Sequence, residues 1–346
     1  MEVKSREEIL STLDSKGCLD SLPFMPEMFA FCGSRVRVYK RAHKTCDTIN
    51  FTGGRRMESA VHLAGVRCDG QAHGGCQAEC LIFWKEAWLK RVAGAAEDGA
   101  GQARSAAEPV GGSGKSPGRS TVPDVSAAAC EHRPPEEPVF FCQATNLLRA
   151  TAPLPWWDVR QYWEDYASGN VTLKLMVNAL CYSGYLKLFG IPWLGKWFKR
   201  LYNRVQRVRG RPRHPRSWGR IPVDSPTPAE RLDLQPGELV RVKNFEAILD
   251  TIDQNWKNRG LKWDAEMVPY CGGTYRVRRR VEQIIDEKTG KMLRFKSAAI
   301  MLEGVVCRAQ YSECRYFCPR SIYSYWREIW LERASAPPMP GLVKSA

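Results

Sequence analysis

The chain has 346 residues, of which 44% are hydrophobic and 10% aromatic, so it can build two or three packed domains and is too apolar to be disordered throughout. Its 52 Lys and Arg against 37 Asp and Glu leave a net charge of +15, which favours an anionic partner: an anionic membrane surface, an acidic polymer or nucleic acid. Thirteen cysteines, an odd number, argue for metal ligands or buried thiols over a disulfide framework.

Charges at Glu2, Lys4, Arg6, Glu7 and Glu8 stand where a signal peptide needs an apolar core, which points to a cytoplasmic location. Slid against itself, the chain then aligns Val3–Arg41 with Val242–Arg280 without a gap, and 15 of the 39 aligned positions are identical. Among the identities are Thr12/Thr251, Asp14/Asp253, Glu27/Glu266, Cys32/Cys271, Gly33/Gly272, Arg37/Arg276 and Arg41/Arg280. The match continues through Leu63/Leu302 and Cys68/Cys307, and with small gaps through Cys76/Cys314, Cys80/Cys318, Trp84/Trp326 and Trp88/Trp330. The chain is therefore expected to contain a module at 1–92, a flexible Gly/Ala/Ser/Pro-rich linker at 93–138 and a Trp- and Arg-rich helical insert at 139–220. A stiffer Pro-rich linker at 221–237, a second module at 238–334 and a tail at 335–346 follow.

Within each module a short strand leads into a capped helix (Ser5 before Glu7–Leu13, Asn244 before Glu246–Ile252), then a long loop and several alternating strands. The leading strand of the first copy is shortened to Glu2–Lys4, so its sheet should be the less complete. The spacing of Trp84 and Trp88, and of Trp326 and Trp330, suggests a C-terminal helix. The expected fold class is α+β: two copies of a small β-rich module, SH3-like barrel in style, each with a cysteine hook.

Cys32, Cys68, Cys76 and Cys80 recur as Cys271, Cys307, Cys314 and Cys318, whereas Cys18 and Cys46 have no counterpart. Four thiolates suit a closed tetrahedral zinc site, so two zinc ions are expected, with an iron–sulfur cluster as the alternative and buried thiols as the plain reading. His73 lies inside the first hook but faces Ser312 in the second, which marks it as a surface residue and a reserve ligand. Glu27 and Glu266 could serve such a site as acid or base, although a carboxylate capping a loop is the commoner role.

Arg37 and Arg41, and Arg276, Arg278 and Arg280, fall on one face of a strand by period-two alternation and form candidate anion contacts; a solvated strand face explains them equally well. In the insert, Trp193, Trp197, Phe198, Leu201, Val205 and Val208 recur at helical spacing, with Lys196, Arg200 and Arg204 on the other faces. That pattern suits the headgroup region of an anionic membrane, against the simpler reading of a stripe packed on a module. No phosphate-binding glycine loop, HExxH or G-x-S-x-G occurs, so a non-enzymatic binding or scaffold protein at a membrane periphery is expected, with a nucleic-acid-binding protein second and an iron–sulfur redox factor third.

Overall fold

A computed structural model describes residues 1–92, 120–132, 134–189, 195–208, 217–312 and 314–334, leaving aside the side chains of 185–189, 195, 196 and 198. It is a mixed α+β structure of several small sheets and short helices, and among the described residues no sheet closes into the expected barrel. The chain divides into two compact units, Met1–Cys76 with Leu81–Leu154 and Ile285–Met292, and Gln77–Cys80 with Pro155–Ile284 and Leu293–Ala346.

The first unit opens with β1 (Glu2–Val3) and α1 (Arg6–Leu10). Ser5 accepts from the Glu8 amide while the Glu8 carboxylate accepts from the Ser5 amide, a reciprocal cap that satisfies two amides at the helix start. A ribbon of β2 (Cys18–Leu19) and β3 (Leu22–Pro23) follows, then a 3₁₀ turn at Pro26–Phe31. Next come β4 (Val38–Arg41), β5 (Lys44–Cys46), β6 (Gly54–Arg56), β7 (Ala60–Arg67), β8 (Leu81–Lys85) and β9 (Leu89–Lys90). β7 is the centre of a sheet with β4 and β8, while β1 pairs separately with β9.

Residues 120–132, which composition assigns to a flexible linker, are instead ordered into α2 (Val122–Ala128) and β10 (Cys130–Glu131). Thr121 and Asp124 form a second capping box, and Val125 is buried in the core of the unit. β10 pairs with β11 (Val139–Phe140), and β12 (Ala152–Leu154) extends the β5–β6 sheet. Gln143 joins this stretch to β8 like a backbone rung: its amide accepts from the Phe83 N–H and donates to the Phe83 carbonyl.

The second unit holds α3 (Arg160–Ala167), α4 (Leu173–Phe189) and α5 (Gly195–Val208), followed by β13 (Leu239–Val242), α6 (Phe245–Leu249), β14 (Lys257–Asn258) and β15 (Leu261–Lys262). After a 3₁₀ turn at Ala265–Tyr270 come β16 (Thr274–Ile285), β17 (Met292–Val306), β18 (Tyr323–Trp326) and β19 (Leu331–Arg333). Here the leading strand is long enough to pair on both sides, and β18-β17-β16-β13-β19 form one five-stranded sheet.

The residues identical in the two copies hold matching positions. Trp88 Nε1 donates to Thr12 Oγ1 at 3.1 Å, and Trp330 Nε1 to Thr251 Oγ1 at 2.9 Å. Asp14 and Asp253 each accept from the amide four residues on, and the Gly33 and Gly272 amides reach the carbonyls of Val3 and Val242. Phe24 stands edge-on to Trp84 and Trp88, as Trp263 does to Trp326 and Trp330. These rings are the largest elements of the two main cores.

The expected C-terminal helix is replaced in both copies by a strand and a single 3₁₀ turn, β8 then Glu86–Trp88 and β18 then Glu328–Trp330. All five residues of β8 are buried, so both its faces are covered, and the strand satisfies its backbone against β7. The i, i+4 spacing of the tryptophans imitates a helix because the first lies in the strand and the second ends the 3₁₀ turn that follows it.

Candidate metal centre

Three side chains of the first copy converge. Glu27 is the second residue of the Pro26–Phe31 turn, Cys68 directly follows β7, and His73 closes the short 3₁₀ turn Gln71–His73. One ligand-capable atom from each lies within 4.8 Å of the others, and no other group of three or more His, Cys, Asp or Glu side chains among the described residues meets that condition. The Cys68 thiol donates to Glu27 Oε1 at 2.9 Å, and His73 Nδ1 stands 3.5 Å from the same oxygen.

The loop that delivers His73 depends on glycine. Gly70 and Gly74 both have positive φ, and a Cβ would collide with the Cys76 carbonyl at the first and with the Phe140 ring at the second. His73 is therefore not the surface residue its facing of Ser312 suggests: its side chain is 1% exposed and that of Glu27 6%. His73 Nε2 lies 3.1 Å from the Phe141 carbonyl. That contact requires Nε2–H as donor and leaves Nδ1 as the ring nitrogen on the side of Glu27. His73 Nδ1 and Glu27 Oε2 are both buried without a hydrogen-bond partner.

The second copy uses the same frame differently. Glu266 stands where Glu27 does, but its Oε1 accepts from the Tyr311 amide at 2.6 Å and from the Ser312 hydroxyl at 3.1 Å. Burial raises the Glu266 carboxyl above the usual carboxylate value, with hydrogen bonds from the Tyr311 and Gln310 amides opposing. Cys307 is held well above the ordinary thiol value, first by burial and then by the nearby Glu266 and Cys318. Ala309, with φ +50, takes the left-handed position that Gly70 occupies in the first copy.

Of the first cysteine set, only Cys68 joins the three-residue cluster; Cys32 and Cys76 lie in the same unit, and Cys80 belongs to the second. Cys76 Sγ accepts from the Ile285 amide at 3.4 Å. In the second set, burial pushes the Cys271 thiol up to about 12, Cys318 is buried and Cys314 is exposed.

Arg37 and Arg41 are exposed, as is Arg276, which donates to the Gly237 carbonyl. Two further arginines of β16 are matched by carboxylates. Arg278 reaches Glu79 at 2.5 Å, and Arg280 reaches Glu328 at 2.8 Å. In the insert, Trp193 lies outside the described residues, as do the side chains of Lys196 and Phe198, while Trp197, Arg200 and Arg204 are exposed on α5.

Comparison with protein-family models, with curated proteins and with solved structures finds no match.

Proposed function

We propose that this is a metal-stapled, tandem-module binding or scaffold protein that docks on an anionic membrane surface through α5, its two modules being small open β-rich units in the style of SH3-like folds. The observation that carries the reading is the outward face of α5. Trp197 (56% exposed), Leu201, Val205 and Val208 are all exposed and fall within one narrow arc of the helix at 100° per residue. Exposed Arg200, Arg204 and Arg207 flank that stripe, while Tyr202, Asn203 and Gln206 are half-buried on the opposite side. A helix that turns its polar side inward and its Trp-bearing side outward has the composition of an interfacial contact.

Charge points the same way, because no Asp or Glu occurs between Asp165 and Asp224. Each basic residue near an anionic surface contributes about 1 kcal/mol, screened beyond a Debye length. Among the described residues no helix is long and apolar enough to cross a membrane. Nucleic acid is the second reading, and the pairing of Arg278 and Arg280 with carboxylates weighs against a phosphate grip along β16.

Co-sedimentation of the full chain with vesicles tests the proposal. Binding is expected to rise with the fraction of phosphatidylserine and to fall with salt. Trp197→Glu should weaken it by about tenfold or more without shifting the melting curve, since burying a charge in the interface is costly but the residue is exposed in the free protein. Binding indifferent to anionic lipid would refute the reading, and a shifted RNA or DNA probe would favour the alternative.

A further inference from the structure

We infer that Glu27, Cys68 and His73 form a binding site for one divalent metal ion of the zinc class, and that the chain takes one such ion, because the second copy satisfies the equivalent carboxylate with its own donors. This rests on the metal-stapled part of the reading above but replaces its ligand set, and it does not depend on membrane docking.

The donor set fits the metal. A thiolate, a neutral imidazole nitrogen and a carboxylate oxygen are all zinc ligands, and the three donor atoms already lie within 4.8 Å of one another. The 2.9 Å Sγ–Oε1 contact has to open slightly, while Nδ1 at 3.5 Å from Oε1 already has the separation of about 3.5 Å that a tetrahedral ion sets. Two polar atoms of the cluster call for a partner: Glu27 Oε2 and His73 Nδ1 are buried without hydrogen-bond partners, which ordinary protein interiors avoid. The Phe141 carbonyl fixes the imidazole from behind, the outer contact that metal-bound histidines usually have. On binding, the Cys68 thiol gives up to solvent the proton it now shares with Glu27 Oε1, so one S–H bond is broken and one metal–sulfur bond formed, with no change of oxidation state. Three protein ligands leave a fourth position for water or a further donor.

The second copy gives the same frame a different set of partners. Ser312 replaces His73, and its hydroxyl together with the Tyr311 amide occupies Glu266 Oε1. Glu266 is thus engaged by protein donors, and Ser312 in place of His73 removes the nitrogen ligand that the first copy keeps.

The test is metal analysis and titration of the full chain after chelation, with zinc and with cobalt(II) as a spectroscopic probe. One ion per chain is expected, with a thiolate-to-cobalt absorption band, and affinity should fall as pH is lowered because the thiol must ionise. His73→Ser, which installs the residue found in the second copy, should weaken binding on the order of 100-fold or more. Glu27→Gln, a same-size change, guards against a folding artefact and should also weaken binding, whereas Cys307→Ser should leave the stoichiometry at one. Zinc that fails to bind, a stoichiometry of two that falls to one in Cys307→Ser, or undiminished binding by His73→Ser would overturn the proposal, as would iron and sulfide in the purified chain. Vesicle binding that persists in His73→Ser separates this outcome from the fate of the membrane reading.

Discussion

The loops after Cys68 and after Cys307 occupy the same place in two repeats, yet they solve one problem in two ways. Each must satisfy a buried glutamate beside a cysteine. In the second repeat the backbone turns inward, so that the Tyr311 amide and the Ser312 hydroxyl meet Glu266. In the first, glycines at 70 and 74 fold the loop so that an imidazole arrives instead, and Glu27 Oε2 and His73 Nδ1 are left without hydrogen-bond partners. The exchange of His73 for Ser312, together with that of Gly70 for Ala309, thus separates a loop with unpartnered buried atoms from a self-contained one.

The comparison is sharpest where the repeats agree. Trp88→Ala and Trp330→Ala should each destabilise their own core by about 3–5 kcal/mol, the cost of emptying a large buried ring site, with the threonine hydroxyl losing its donor as well. Denaturant melts followed by fluorescence would check this. Unequal losses would show that the two cores are not energetically alike.

Agreement ends at Glu86 and Glu328, which share a place in the alignment. Glu86 is exposed, while Glu328 is buried and accepts from the Leu232 and Leu234 amides and from Arg280. Glu328→Ala should cost about 3 kcal/mol by stranding Arg280 and two amides, and Glu86→Ala less than about 0.5 kcal/mol. Burial alone would raise the Glu328 carboxyl, but the hydrogen bonds from Leu234 and Leu232, with that of Arg280, outweigh it and hold it below the usual carboxylate value. Its stabilisation is therefore complete above the ordinary carboxylate range and is lost as pH falls toward the lower folded-state value. Melting curves across that acid range should show the loss in the native chain and a flatter profile in Glu328→Gln.

A smaller effect is expected at the loop itself. Ser312→Ala removes one of the hydrogen bonds to Glu266 and should cost about 1 kcal/mol, read from the melt of the second repeat.

Much of this was legible in the sequence because the identical residues are those with fixed partners: Thr12 and Thr251 hold tryptophans, and Asp14 and Asp253 close turns. What escaped was set by distant chain. His73 is buried because Phe140 and Phe141, far along the sequence, cover its loop, and no local pattern announces that. The run Asp69-Gly70 to Gly74-Gly75 was the available signal for a tight, functional turn. The closing tryptophans read as helical because spacing was visible and burial on both faces was not. Similarly, α2 hid in a linker composition, although Thr121, Pro123 and Asp124 carry the marks of a helix start.

The contrast between the two loops is tested most directly by anomalous X-ray scattering at the zinc edge from crystals of the full chain exposed to zinc. A single strong peak about 2.3 Å from Cys68 Sγ, within bonding distance of Glu27 and His73, is the predicted result. A peak of comparable strength at Cys307 and Cys318, or none beside Cys68, would contradict it.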